Sequence, residues 1–64
     1  MDPYIKELEK RIREVSTKRP DLKDDLIDIY QLAMEEIADG SNSYNECDLA
    51  LDGIDDLLQQ KTTT

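Results

Sequence analysis

Sixty-four residues with sixteen acids, eight bases and no histidine give a formal net charge of −8, enough chain for one domain. A single cysteine, Cys47, excludes a disulfide framework and a cysteine-rich zinc centre, and no apolar run approaches the ~20 residues of a membrane span. The charge is split along the chain: residues 1–19 carry a net of +2, and residues 20–64 carry −10 with only Lys23 and Lys61 as bases.

Such a short chain buries only about 60% of the surface it exposes when unfolded, so its stability is expected to be modest. The apolar content of 38% is low for a globular domain, yet its spacing is too regular for disorder. The lone cysteine points to a reducing compartment, most simply the cytoplasm. The opening Met1-Asp2-Pro3-Tyr4 has neither the basic segment nor the apolar run of a signal peptide.

The first predicted helix covers about residues 3–18. Ile5, Leu8, Ile12 and Val15 recur at steps of three and four and share one face. Asp2 supplies a capping acid, and Pro3 suits the first helical position because its missing N–H costs nothing there. Glu7/Arg11, Glu9/Arg13 and Glu14/Lys18 are acid-then-base pairs four apart, each worth ~0.3–0.5 kcal/mol if formed. Lys6, Lys10 and Arg13 make a basic stripe away from the apolar face, read as a solvated face or a secondary docking stripe.

Pro20 ends that helix, since the residue before proline avoids helical angles. The second helix is expected over about 21–39, with Asp21 and Asp24 as a weak capping pattern and Gly40 as its stop. Leu22, Leu26, Ile29, Tyr30, Ala33 and Ile37 form its apolar stripe, widened by Ile27, Met34 and Ala38. So wide an arc suits the central element of a bundle or a face that meets a second subunit.

After Gly40-Ser41-Asn42-Ser43, a third helix is expected over about 44–60, with Ser43 and Glu46 as a capping box. Tyr44, Cys47, Ala50, Leu51, Ile54, Leu57 and Leu58 share its apolar face, and residues 61–64 are expected to fray. Short connections make neighbouring helices antiparallel. The fold class is therefore all-α, a small antiparallel three-helix bundle. Its expected core is Ile5, Leu8, Ile12, Leu26, Ile29, Ala33, Ile37, Leu51, Ile54 and Leu58.

Chemistry-bearing motifs are scarce. Histidine, the commonest general base, is missing, and no nucleophile elbow, phosphate loop or dinucleotide fingerprint occurs. Cys47 sits on an apolar stripe and reads as a buried, inert thiol. A calcium loop counted from Asp39 would need glycine at its sixth position and glutamate at its twelfth, but the chain has Tyr44 and Ala50. No catalytic residue, metal ligand or cofactor is therefore expected. Direct nucleic-acid binding is disfavoured because phosphates call for a basic surface.

The positive signal is acidic. Asp25, Asp28, Glu35, Glu36 and Asp39 on the second helix, and Asp48, Asp52, Asp55 and Asp56 on the third, lie opposite the core. Asp24/Asp28, Asp48/Asp52 and Asp52/Asp56 set like charges four apart, at a cost of a few tenths of a kcal/mol each. Leu32 and Leu49 fall among these acids, and Gly53 follows one turn after Leu49. Apolar anchors ringed by charge suggest an interface, against the plain alternative of a solvated face with two stray leucines. At the level of class, the composition resembles that of small acidic inhibitors and adaptors made by phages or mobile elements. The expected function is a non-enzymatic module presenting this anionic face to a protein with a basic surface. The alternatives are a DNA mimic that occupies a nucleic-acid-binding protein, and a self-associating homo-oligomeric bundle.

Overall fold

A computed structural model describes residues 2–62, with side chains through Gln60. The first helix, α1, spans Pro3–Lys18 and starts as the sequence predicts. Asp2 has an extended backbone, and its carboxylate accepts the amides of Tyr4 at 2.8 Å and Ile5 at 3.4 Å.

The connection to the second helix departs from expectation. Pro20–Leu22 form one 3₁₀ turn, and α2 runs over Lys23–Ala38 rather than opening at Asp21. Leu22 stands at the N-cap of α2 and makes no side-chain cap, and Asp21 accepts two hydrogen bonds from the Arg19 guanidinium, at 3.2 and 3.0 Å. The tighter turn carries Leu22 inward, where it is 2% exposed. Burying a leucine is worth roughly 1.5–3 kcal/mol, more than a surface cap of ~1 kcal/mol.

α2 ends in a complete Schellman motif. The Gly40 amide donates to the Ile37 carbonyl and the Ser41 amide to the Glu36 carbonyl, both at 3.0 Å. Gly40 has φ +106°, a conformation that side-chain-bearing residues rarely adopt.

The third helix, α3, spans Ser43–Thr62, and its cap is Asn42 rather than Ser43. The Asn42 side chain accepts the Asn45 amide at 3.1 Å, and its carbonyl accepts the Glu46 amide at 3.0 Å. Asparagine caps as well as serine does. The Asp2 carboxyl is held below its ordinary range by the neighbouring Ser43 hydroxyl first and by the Tyr4 and Ile5 amides. The bounds of α3 take in Lys61 and Thr62 of the expected tail; Thr63 and Thr64 lie outside the described residues.

Among the described residues the elements are three α-helices and one 3₁₀ turn, assembled as an all-α three-helix bundle measuring 37 × 18 × 15 Å. Contacts fix the directions. Asp25 and Asp28 of α2 share one depression with Asp56, Leu57 and Gln60 of α3, and Leu32 and Glu36 share another with Glu46 and Leu49, so α2 and α3 are antiparallel. Tyr4 against Tyr44 and Arg11 against Asp55 set α1 parallel to α3.

Leu8, Val15, Leu22, Leu26, Ala33, Cys47, Ala50 and Ile54 are buried. Of the expected core, Leu8, Leu26, Ala33 and Ile54 are therefore central. Ile5, Ile12, Ile29, Ile37, Leu51 and Leu58 are half-buried around them. Cys47, Ala50 and Ile54 form the centre line of the α3 stripe, which leaves the larger Leu51, Leu57 and Leu58 as flanks. Tyr44 lies further out: it is exposed and meets Tyr4 edge-to-face, with ring centroids 5.0 Å apart. On α2 the widened arc is only partly used. Met34 is half-buried, whereas Ile27 and Ala38 are exposed.

The three expected pairs along α1 do not form. Among the described residues the ion pairs are Arg11–Asp55 at 3.4 Å and Arg19–Asp21 at 3.0 Å. Glu9 accepts the Tyr30 hydroxyl at 2.7 Å instead of pairing with Arg13. A half-buried hydrogen bond to a carboxylate outweighs a solvated pair worth tenths of a kcal/mol.

Candidate functional site

Each of α2 and α3 carries two periodic stripes. The first is the core stripe. The second is offset around the helix and mixes acids with apolar residues: Asp25, Asp28, Ile29, Leu32 and Glu36 on α2, and Glu46, Leu49, Ala50, Gly53, Leu57 and Gln60 on α3. Steps of three and four keep each set on one face. Antiparallel packing brings the two offset stripes side by side.

They enclose a groove made of two adjoining depressions. One is lined by Ile29, Leu32, Ala33, Glu36, Glu46, Leu49, Ala50 and Gly53. The other is lined by Asp25, Asp28, Ile29, Gly53, Asp56, Leu57 and Gln60. Ile29 and Gly53 belong to both and join them. The floor is apolar and built partly of small residues. Leu32 and Leu49 stand as walls, 61% and 63% exposed. Asp25, Asp28, Glu36, Glu46 and Asp56 edge the groove, and among the described residues no lysine or arginine lines it. Neighbouring acids on this rim, such as Asp25 and Asp28 one turn apart, lie within a Debye length of ~8–10 Å, so the negative potential runs along the trench from end to end.

The residues expected to bind a partner are all exposed, but they do not form one face. Asp25, Asp28, Leu32, Glu36, Leu49 and Asp56 line the groove. Glu35, Asp39 and Asp52 lie outside its lining. Asp48 sits on the α1 side of α3 with Tyr4, Glu7 and Tyr44, and Asp55 turns the same way to reach Arg11. At ~100° per residue, Asp48 and Asp55 point to one side of Asp52 and Asp56 to the other. A tally of acids along the helix hides that division.

Sequence reasoning placed Gly53 beside Leu49 but missed Glu46, which it assigned to a cap, and the floor residues Ile29, Ala33, Ala50 and Leu57. The regular spacing 46–49–50–53–57–60 carried the signal. Lys6, Lys10 and Arg13 of the basic stripe are all exposed, and Arg13 lines a depression between α1 and α2 with Glu9, Ile12, Ile27 and Tyr30.

Gly53 has no packing reason to be glycine. A Cβ built there would meet only the Ile29 Cδ1, at 3.9 Å, an ordinary contact. Glycine within a helix nevertheless costs ~1 kcal/mol against alanine. Its effect in the structure is to keep the centre of the groove open.

The remaining reactive groups lie elsewhere. Cys47 is buried, and its thiol is pushed up by burial, with Asp2 and Glu46 adding to the shift; it is a poor nucleophile in the native state. Tyr30 has its phenol pushed up by the hydrogen bond to Glu9 and by burial. Among the described residues no three carboxylates or thiols gather to hold a metal ion, and no helix is long and apolar enough to cross a membrane. Compared with known proteins, the chain matches no protein-family model, no curated sequence and no solved structure.

Proposed function

We propose that this chain is a non-enzymatic protein-binding module, an adaptor or inhibitor, that docks a basic protein surface against the α2–α3 groove and so occludes it. One observation carries the reading: an apolar trench walled by two exposed leucines and edged by five carboxylates. In such an arrangement the rim charges steer the partner and select against acidic surfaces. The leucines supply the desolvated contacts that dominate binding energy. The single buried thiol suits a reducing compartment such as the cytoplasm. A mimic of nucleic acid would need its carboxylates exposed as a phosphate-like array, for which an apolar trench between them serves no purpose.

The test is affinity capture from a cell lysate with the natural chain and with a Leu32→Ala/Leu49→Ala variant, washed at low and high salt. The reading expects basic proteins held at low salt, released at high salt and lost from the variant while its helical circular dichroism is unchanged. Equal retention by both chains would refute it. Displacement by DNA from natural chain and variant alike would support the mimic instead.

A further inference from the structure

We infer that the occupant of the α2–α3 groove is a single basic amphipathic α-helix of a partner protein, lying along the trench as a fourth helix of the bundle. This rests on the protein-binding reading above and names what binds.

Length is the first argument. The lining runs from Glu46 to Gln60 along α3 and from Asp25 to Glu36 along α2. At 1.5 Å per residue this is a trench of roughly 17–21 Å, matching a helix of about 11–14 residues.

Cross-section is the second. Ala33, Ala50 and Gly53 lower the floor between the Leu32 and Leu49 walls, which suits one ridge of apolar side chains at i, i+3, i+4 and i+7. An extended strand has no such ridge. It would also find no sheet edge among the described residues to satisfy its backbone groups.

Charge is the third. Acids edge the trench from both helices: Asp25, Asp28 and Glu36 on α2, and Glu46 and Asp56 on α3. The complementary ligand carries lysine or arginine on both sides of its apolar ridge. A second copy of this chain does not fit. Two α2–α3 faces would oppose acid to acid. The exposed face of α1 offers Lys6, Lys10 and Arg13, but Ile5, Leu8, Ile12 and Val15 are committed to the bundle interior.

Gly53 supplies a residue-level handle. It sits where the two depressions join; a Cβ there meets only the Ile29 Cδ1, at 3.9 Å, so a side chain added at this position occupies the trench without altering its charge.

The experiment titrates the isotope-labelled chain with three synthetic peptides of about 14 residues. The first is built of leucine and lysine in helical period, the second has the same composition in strict alternation, and the third is oligolysine. The helical-period peptide should bind at least ~10-fold more tightly than the others, shifting the signals of Ile29, Leu32, Leu49 and Gly53. Gly53→Leu should weaken it by ~10-fold or more while leaving oligolysine binding unchanged. Leu49→Ala, at an exposed position, gives a second variant whose fold is not at risk. Equal binding of all three peptides, or indifference to Gly53→Leu and Leu49→Ala, overturns the helix-in-groove inference and leaves the acidic-surface reading standing. Binding of none overturns both. Reversible dimers in sedimentation that Leu49→Ala dissolves overturn the inference in favour of a second copy.

Discussion

Replacing Gly53 by alanine isolates the cost that this groove imposes on the fold. In the middle of α3 the substitution removes glycine's excess backbone freedom in the unfolded chain, worth ~0.5–1 kcal/mol. The added methyl meets the Ile29 Cδ1 at 3.9 Å, within the range of ordinary attraction, so no clash offsets the gain. The expected result is stabilisation by up to about 1 kcal/mol, a rise in Tm of roughly 4–8 °C for a chain of this size. Thermal melts followed by far-ultraviolet circular dichroism read it directly. Gly40→Ala serves as the opposite control: at φ +106° an alanine is strained whatever space surrounds it, and Tm should fall. A fall in Tm for Gly53→Ala would refute the claim that glycine is there for the groove rather than for packing. A rise for both glycines would refute the account of the turn.

Four other outcomes follow from the same structure. Leu26→Ala, at a fully buried position, should cost ~2–5 kcal/mol in urea denaturation, whereas Leu32→Ala on the groove wall should change stability by less than about 0.5 kcal/mol. The Tyr30 phenol is raised above its usual value of 10.0, so its contribution to stability is complete below that pH and is lost as pH rises through the folded value. Stability measured across alkaline pH should therefore decline less steeply in Tyr30→Phe. The Asp2 carboxyl is lowered below 3.8, by Ser43 first and then by the Tyr4 and Ile5 amides. Its contribution is present above 3.8 and lost as pH falls through the folded value, so Asp2→Asn, which keeps the cap, should flatten acid unfolding. Cys47 should react with a thiol reagent at least ~100-fold more slowly in the native chain than in denaturant, because opening of the bundle must precede attack.

Periodicity made the three helices and their core faces legible, because steps of three and four leave no other element type that buries Leu8, Leu26 and Ile54 together. Local rivalry was harder to read. Asn42 and Ser43 are adjacent residues of nearly equal capping strength, and the local pattern alone does not separate them. The start of α2 was likewise decided by the burial of Leu22 rather than by the capping chemistry of Asp21. At the groove, exposure of Leu32 and Leu49 followed from the helical wheel. The trench between them did not, because it exists only once α2 and α3 are set side by side. The sequence placed Asp48, Asp52, Asp55 and Asp56 on one solvent face; the position of α1 divides them. Two of the three local pairs predicted along α1 failed for the same reason: Arg11 and Glu9 found partners on other helices.

The two connections of the bundle differ in a way that bears on how the molecule tolerates added sequence. The Arg19–Leu22 segment is sealed from within by Leu22, so lengthening it would withdraw a plug from the base of the core. The Asp39–Asn42 segment has no such anchor, and space around Gly40 is open. Insertions are therefore admissible at one end of the bundle only. That end is where α2 leaves Glu36 and α3 arrives at Glu46, beside the leucine walls. A reporter group placed at Ser41 would stand next to the mouth of the trench and change its surroundings when the trench fills.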